Sequence, residues 1–253
     1  MAMTRIKSSK EIDNMKTSGQ ILAKVFSVIK QSLSAGMTTD DIDKIAKREL
    51  KKLGGEPILI GYQGFPKSIC VSVNEEVVHG IPSDKIIEKG DLVGVDFCVS
   101  YNGMITDSAF TQAIGGHDPN QIIAVTERSL FAGIDAVKNG AKTGDIGQAV
   151  ASVLESSGLG VVRDLVGHGV GHEVHEEPNI PNYGRAGKGD ELKTGMTIAI
   201  EPMSTLGGYD VVVMEDGWTI KTRDNSLSAH FEHTVLVTDN GYEIITALPD
   251  SES

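Results

Sequence analysis

A chain of 253 residues, 40% hydrophobic and 23% charged, has ordinary globular composition and is long enough for one large core or two small ones. Its formal net charge of -12 disfavours general nucleic-acid binding, which draws on clustered Lys and Arg, and suits metal ions and cationic amines. No window reaches the roughly 18 uninterrupted apolar residues of a membrane span, and the N-terminus turns polar before a signal-peptide core could form. Cys70 and Cys98 are too few for a disulfide framework and too irregularly placed for a Cys-type zinc site. The expectation is a cytoplasmic protein in a reducing compartment, with both thiols in packing or pocket positions.

In chain order, Ser8-Ser9-Lys10-Glu11 is a capping box that opens an amphipathic helix running to about Leu33. Thr38 or Thr39 caps a second helix over 40–53, whose acidic first turn and terminal Gly54-Gly55 follow dipole and C-cap preferences. A Gly- and Pro-rich loop separates this helical hairpin from strand-like segments at 69–78 and 91–100, and Asn102-Gly103 turns the second of these into another at 104–113. The order then repeats. Asp118-Pro119 starts a long helix ending near Asn139-Gly140, Thr143 starts another ending at Gly158, and strand-like segments fill the remainder. A shift of 104 residues pairs Gly36 with Gly140, Thr39 with Thr143, Asp41 with Asp145, Leu50 with Leu154 and Gly54 with Gly158. The match points to an internal duplication with halves at about 8–113 and 118–246, although T-x-D-I is partly generic capping chemistry that can recur by chance. Two helix-pair-plus-sheet halves give one α+β domain over 1–253, with a pseudo-twofold seam that is a natural place for an active site.

The segment GDLVGVDFCVSYNGMITDSAF sets Asp96 and Asp107 in otherwise apolar strands. With a two-residue turn Tyr101 faces Met104, so Cys98 opposes Asp107 and Asp96 opposes Ala109. Asp96 and Asp107 then share a face as diagonal neighbours roughly 7–8 Å apart at the backbone, near enough for both carboxylates to reach one cation, and they repel without it. An exposed strand-end position for one Asp is the plainer alternative. The segment VGHGVGHEVHEEPNIP carries His168, His172 and His175 among glycines that argue against a helix. His172-Glu173-Val174-His175 is one residue short of the H-E-x-x-H spacing that sets two histidines a helical turn apart. Taken singly, each imidazole could equally be a hydrogen-bonding surface group. Glu201, closed off by Pro202, and Glu232 are acids in apolar strand contexts, where a lone carboxylate is a liability. Asp96, Asp107, His168, Glu201 and Glu232 together would form a hard, oxygen-rich pair of divalent sites, better suited to Mn, Fe or Co than to structural Zn.

Five segments in order, VVHGIP, DFCVSYNGMITDSAF, GHGVGHEVHEEPNIP, IAIEPM and FEHTVLVT, resemble the methionine aminopeptidases. The resemblance is to the compact bacterial type I form, because the chain has room for neither the N-terminal domain of prolidase-like and creatinase-like relatives nor the helical insertion of type II enzymes. It runs from the first helix to about Thr246 and implies the pita-bread (creatinase/aminopeptidase) fold. The implied activity is hydrolytic removal of the N-terminal methionine from nascent polypeptides whose second residue is small. Two divalent ions are implied, drawn from Co, Mn, Fe, Zn and Ni, with Asp107 and Glu232 bridging, Asp96 completing one site, and His168 with Glu201 completing the other. Glu201 would also manage a proton. His79 and His175 would contact substrate and act in catalysis, and Tyr62, Phe65, Cys70 and Trp218 would line the methionine pocket. A structural Na or K ion around Asn74, Glu76 and Ser228, transient association with the ribosome and a monomeric state belong to the same implication. Phe65 stands where many bacterial members carry Tyr, and Val174 precedes His175 where an aromatic is frequent.

Overall fold

The first helix, α1 (Ser9–Ser32), begins at the expected capping box. The Glu11 carboxylate accepts from the Ser8 amide at 2.7 Å while the Glu11 amide donates to the Ser8 hydroxyl at 3.4 Å. In α2 (Thr39–Leu53) Thr38 and Asp41 repeat the exchange at 3.0 and 3.2 Å, and Gly54 ends the helix at φ 76. Both belong to a computed structural model that describes residues 6–248, so the outermost residues of the expected 1–253 domain lie outside the described part.

Three short strands, β1 (Glu56–Pro57), β2 (Cys70–Val73) and β3 (Glu76–Val78), precede a long hairpin of β4 (Leu92–Tyr101) and β5 (Met104–Ala113). After it come α3 (Ile122–Asp135), α4 (Thr143–Ser156), β6 (Gly160–Val161), β7 (Gly167–Gly169) and β8 (Glu176–Ile180). The chain closes with β9 (Thr197–Ile200), β10 (Met203–Thr205), β11 (Val211–Val213), β12 (Ile220–Thr222), β13 (Ser228–His230), β14 (Glu232–Thr238) and β15 (Gly241–Ile244).

Two expectations need correction. The segment at 69–78 is two strands, because Asn74 takes φ 62 and its amide ties across to Asp91 and the Leu92 backbone. β2 therefore pairs with β4, whereas β3 pairs with β12 in another sheet. The helix expected from Asp118 to about Asn139 is shorter at both ends. Asn120 and Gln121 adopt φ of 52 and 58, which a right-handed helix excludes, so Pro119–Gln121 is a 3-10 turn. The Asp118 carboxylate reaches over it to accept from the Ile123 and Ala124 amides at 3.0 and 3.1 Å. At the far end the Ala136 and Val137 amides bond three residues back, tightening the last turn.

The principal sheet is antiparallel at every pairing, ordered β1-β4-β5-β14-β9-β7-β8 with β2 added on β4 and β15 on β14. Two smaller three-stranded sheets, β13-β10-β6 and β11-β12-β3, flank it. Helices cover one face of the curled sheet, which makes the architecture α+β as expected. Alternation along the strands then divides the side chains. Val95, Phe97, Val99, Phe110, Ile198, Ile200, Val235 and Val237 pack with Leu22, Phe26, Ile42, Ile134 and Val150 of the helices. The helix-to-sheet contact is close enough that a Cβ at Gly19 of α1 would stand 2.3 Å from the Ile245 carbonyl oxygen. Intervening residues of the same strands, among them Asp96, Cys98, Asp107, Ala199 and Glu232, point to the other face.

The two helix pairs are tied down alike. Gly36, Thr39 and Asp40 donate backbone bonds to Ile87, Lys85 and Ser83, while Gly140, Thr143 and Gly144 donate to Leu192, Asp190 and Lys188. Gly54 and Gly158 end α2 and α4 at φ 76 and 74.

Candidate metal centre

The hairpin supplies two carboxylates by local geometry alone. Asn102 and Gly103 take φ of 50 and 77, the left-handed pair that a two-residue turn requires, and all ten pairs of β4 and β5 follow the expected register. Glu232 is added at the start of β14, opposite Ala109 and in line with Asp96. β7 pairs with β9 so that His168 lies opposite Ala199, two residues before Glu201. β9 ends at Ile200, one residue before Glu201, where Pro202 has no amide to continue a ladder.

All five sequence-predicted ligands converge. Ligand atoms of Asp107, His168 and Glu232 lie within 4.8 Å of one another, as do those of Asp96, Cys98 and Asp107. His168 Nε2 is 3.4 Å from the Glu201 carboxylate. Asp107 Oδ1 and Glu232 Oε1 are buried with no hydrogen-bond partner among the described residues, so the centre of the cluster presents oxygen lone pairs that a cation would satisfy. Burial pushes all four carboxyls above their usual range; repulsion from Asp107 adds to it at Asp96, Glu201 and Glu232. Burial, then His175, depresses His168 to about 3, so its imidazole is neutral. Its Nδ1–H donates to the Gly169 carbonyl at 2.9 Å, which leaves the Nε2 lone pair facing the acids. These donors fit hard divalent ions.

Beside the cluster lies a cavity of about 190 Å³, whose walls include the four expected pocket residues, Tyr62, Phe65, Cys70 and Trp218, together with His79 and His175. Phe65 and Trp218 meet edge to face with centroids 5.1 Å apart. Asp216 sets Trp218 in place by accepting from the Trp218 and Thr219 amides at 2.9 Å. The Tyr62 hydroxyl lies 3.0 Å from His175 Nδ1, and the His175 ring stands 4.4 Å from that of His168. His79 takes φ 60, unusual for a residue with a Cβ, and burial lowers its imidazole to about 4. The Asn74 and Glu76 carbonyls converge on the Ser228 hydroxyl at 3.0 and 3.1 Å.

Two further side chains border the cluster. Cys98 donates to Asp107 at 2.9 Å, a contact that its position opposite Asp107 already implied. His230, at the end of β13, is buried with Nε2 4.0 Å from Glu232 and without a hydrogen-bond partner among the described residues; no local pattern in the sequence marks it.

Metallopeptidase family M24 matches residues 13–239. A methionine aminopeptidase of Clostridium acetobutylicum is 44% identical over 247 residues, covering 96% of this chain and 99% of the relative. Methionine aminopeptidase 1 of Bacillus subtilis is 42% identical, covering 95% and 98%. The crystal structure of a methionine aminopeptidase from Thermotoga maritima superposes with a TM-score of 0.95 at 44% identity, covering 97% of this chain and all of that one.

Proposed function

The chain belongs to metallopeptidase family M24, and from that premise we propose that it is a methionine aminopeptidase with the pita-bread fold, which removes the first methionine from polypeptides. The observation that carries this reading is the convergence of Asp96, Asp107, His168, Glu201 and Glu232 beside a sulfur- and aromatic-lined cavity. Asp107 and Glu232 would bridge two divalent ions of the Mn, Fe, Co, Zn and Ni group, with Asp96 completing one site and His168 and Glu201 the other. When bound, such ions acidify a shared water and polarise the scissile carbonyl.

The chain's own groups do the rest. Glu201, 3.4 Å from His168 within the cluster, takes the proton of the attacking water. A Tyr62 hydroxyl donating to His175 Nδ1 leaves the proton on Nε2, which donates to the carbonyl oxygen as negative charge grows there. His79, neutral near pH 7, holds or passes a proton at the scissile amide. The free α-amine of the substrate would also be taken by an ion in the loaded site, which confines hydrolysis to the first peptide bond. Phe65, Cys70 and Trp218 receive the methionine side chain through apolar and sulfur-aromatic contact. Crowding beyond the scissile bond restricts the second residue to Gly, Ala or Ser.

The reading extends to a monomer that meets nascent chains at the ribosome in the cytoplasm. No described helix is long and apolar enough to cross a membrane. It also includes a Na or K ion near Asn74, Glu76 and Ser228, and a single domain formed by duplication, supported by the matching bonds of the two helix pairs. The test is release of methionine from Met-Gly-Met-Met with Co, Mn, Fe, Zn and Ni compared, beside Met-Leu peptides and X-Pro dipeptides. Cleavage of X-Pro dipeptides with Met-Gly-Met-Met left intact would overturn the assignment in favour of a proline-specific peptidase.

A further inference from the structure

The segment between β7 and β8 carries His175 but has little regular structure of its own. Its shape is set by one carboxylate. Glu176, 1% exposed, accepts from the His172 amide at 2.6 Å and from the Glu173 amide at 3.2 Å, closing the turn whose last residue is His175. The other oxygen of Glu176 meets Lys7 Nζ at 2.6 Å, with both side chains shut off from solvent. Lys7 is itself fixed, since its amide donates to the Gly195 carbonyl at 2.9 Å and its stem lies against Gly171, where a Cβ would come within 2.4 Å of Lys7 Cε. A second tie holds the opposite side of the turn, His172 Nε2 to Glu11 of α1 at 2.8 Å. Neither carboxylate faces the metal cluster, and a buried ion pair is weak evidence of stabilisation by itself. Such a pair is better explained by what it holds in place.

We propose that Glu176, clamped by Lys7 and seconded by the Glu11–His172 tie, is a positioning residue that aims His175 at the scissile carbonyl. This rests on the oxyanion role given to His175 above. A donor misplaced by an ångström loses most of its value to a transition state, while metal binding and uniform substrate binding are left alone. Lys7 and Glu11 thereby serve catalysis through His175.

The experiment is a cycle in the metal-loaded enzyme. Lys7→Met with Glu176→Leu removes both charges and the acceptor together, which avoids leaving one buried ion alone. Lys7→Met with Glu176→Gln restores an acceptor oxygen and is the rescue. His172→Ala, at a partly exposed position, releases the Glu11 tie and the 3.5 Å approach of His172 Nδ1 to Glu176, and leaves the Lys7–Glu176 pair and the backbone amide bonds to Glu176 in place. Each is combined with His175→Ala, and kcat, KM, bound metal and thermal unfolding are measured. Expected for the Met/Leu pair is a fall in kcat on the order of 10²-fold, as for loss of an oxyanion donor, with KM and metal content held. The Met/Gln pair should recover most of that loss, His172→Ala should cost a few-fold, and none should cost anything further once His175 is Ala. A Met/Leu pair or, if that protein does not fold, a His172→Ala protein whose loss multiplies with that of His175→Ala would overturn the positioning role, as would a folded Met/Leu pair within threefold of wild type. A His175→Ala protein with unchanged kcat would instead overturn the oxyanion reading, and the positioning role with it.

Discussion

The β4–β5 hairpin and the 167–180 segment each deliver side chains to the same buried cluster, yet they are built in opposite ways. The hairpin is self-contained: a two-residue turn sets the register, the register sets the face, and the face sets Asp96 and Asp107 together. The histidine segment depends on distant partners: Lys7 and Glu11 from the start of the chain, Tyr62 from the loop after α2, and β9 beside His168. Metal ligands on long paired strands are rigid by construction, whereas a substrate-facing imidazole on a short irregular segment needs external bracing.

The comparison is broken most severely at Asp107. Asp107→Ala should abolish stoichiometric binding of two ions and bring activity to background, because the proposed bridging ligand goes and the remaining acids are left in mutual repulsion. Metal analysis after dialysis, set beside Met-Gly-Met-Met turnover, checks it; two retained ions with normal turnover would refute the bridging role. The next largest effect separates two histidines in one segment. His175→Ala should keep its metals and lose about 10²–10³ in kcat, or about 2.7–4 kcal/mol, whereas His168→Ala should lose metal affinity. Equal metal loss in both would show that the division of roles is wrong.

A smaller effect belongs to the hairpin turn. Gly103→Ala at φ 77 should cost roughly 1–2 kcal/mol of stability, with kcat of the folded enzyme unchanged because the register is over-determined by ten pairs. Urea unfolding and steady-state kinetics test it, and a kcat loss without destabilisation would contradict a self-contained hairpin. The smallest concerns the brace at the other region. The hydrogen bond from His172, then the Ser8 amide, lowers Glu11 to about 2 from an ordinary 4.5. A depressed carboxyl contributes stability that is present above about pH 4.5 and lost as pH falls towards 2. Wild type and Glu11→Gln should therefore differ modestly in unfolding midpoint at pH 6 and converge near pH 2. A difference that grows on acidification would reverse the sign and remove the brace.

Much of this was legible before any tertiary structure was known, wherever the determinant lies within a few residues of what it determines. Capping boxes at Ser8 and Thr38, the Asn102-Gly103 turn and the shared face of Asp96 and Asp107 all follow from short-range bonding and a period of two. Short-range logic failed at Asn74 and at Asn120-Gln121, where side-chain bonds and left-handed backbone interrupt segments that composition alone reads as continuous. That His168, Glu201 and Glu232 form one cluster with the hairpin was inferable only from their types and from family resemblance, since three strands far apart in sequence had to pair first. The Lys7–Glu176 pair, 169 positions apart, leaves no periodic signal at all. Local sequence determined the helices, the turn and the register, because those energies depend on neighbours along the chain. Only the tertiary structure decided which side chains would share a buried space, because burial and charge pairing depend on neighbours across it.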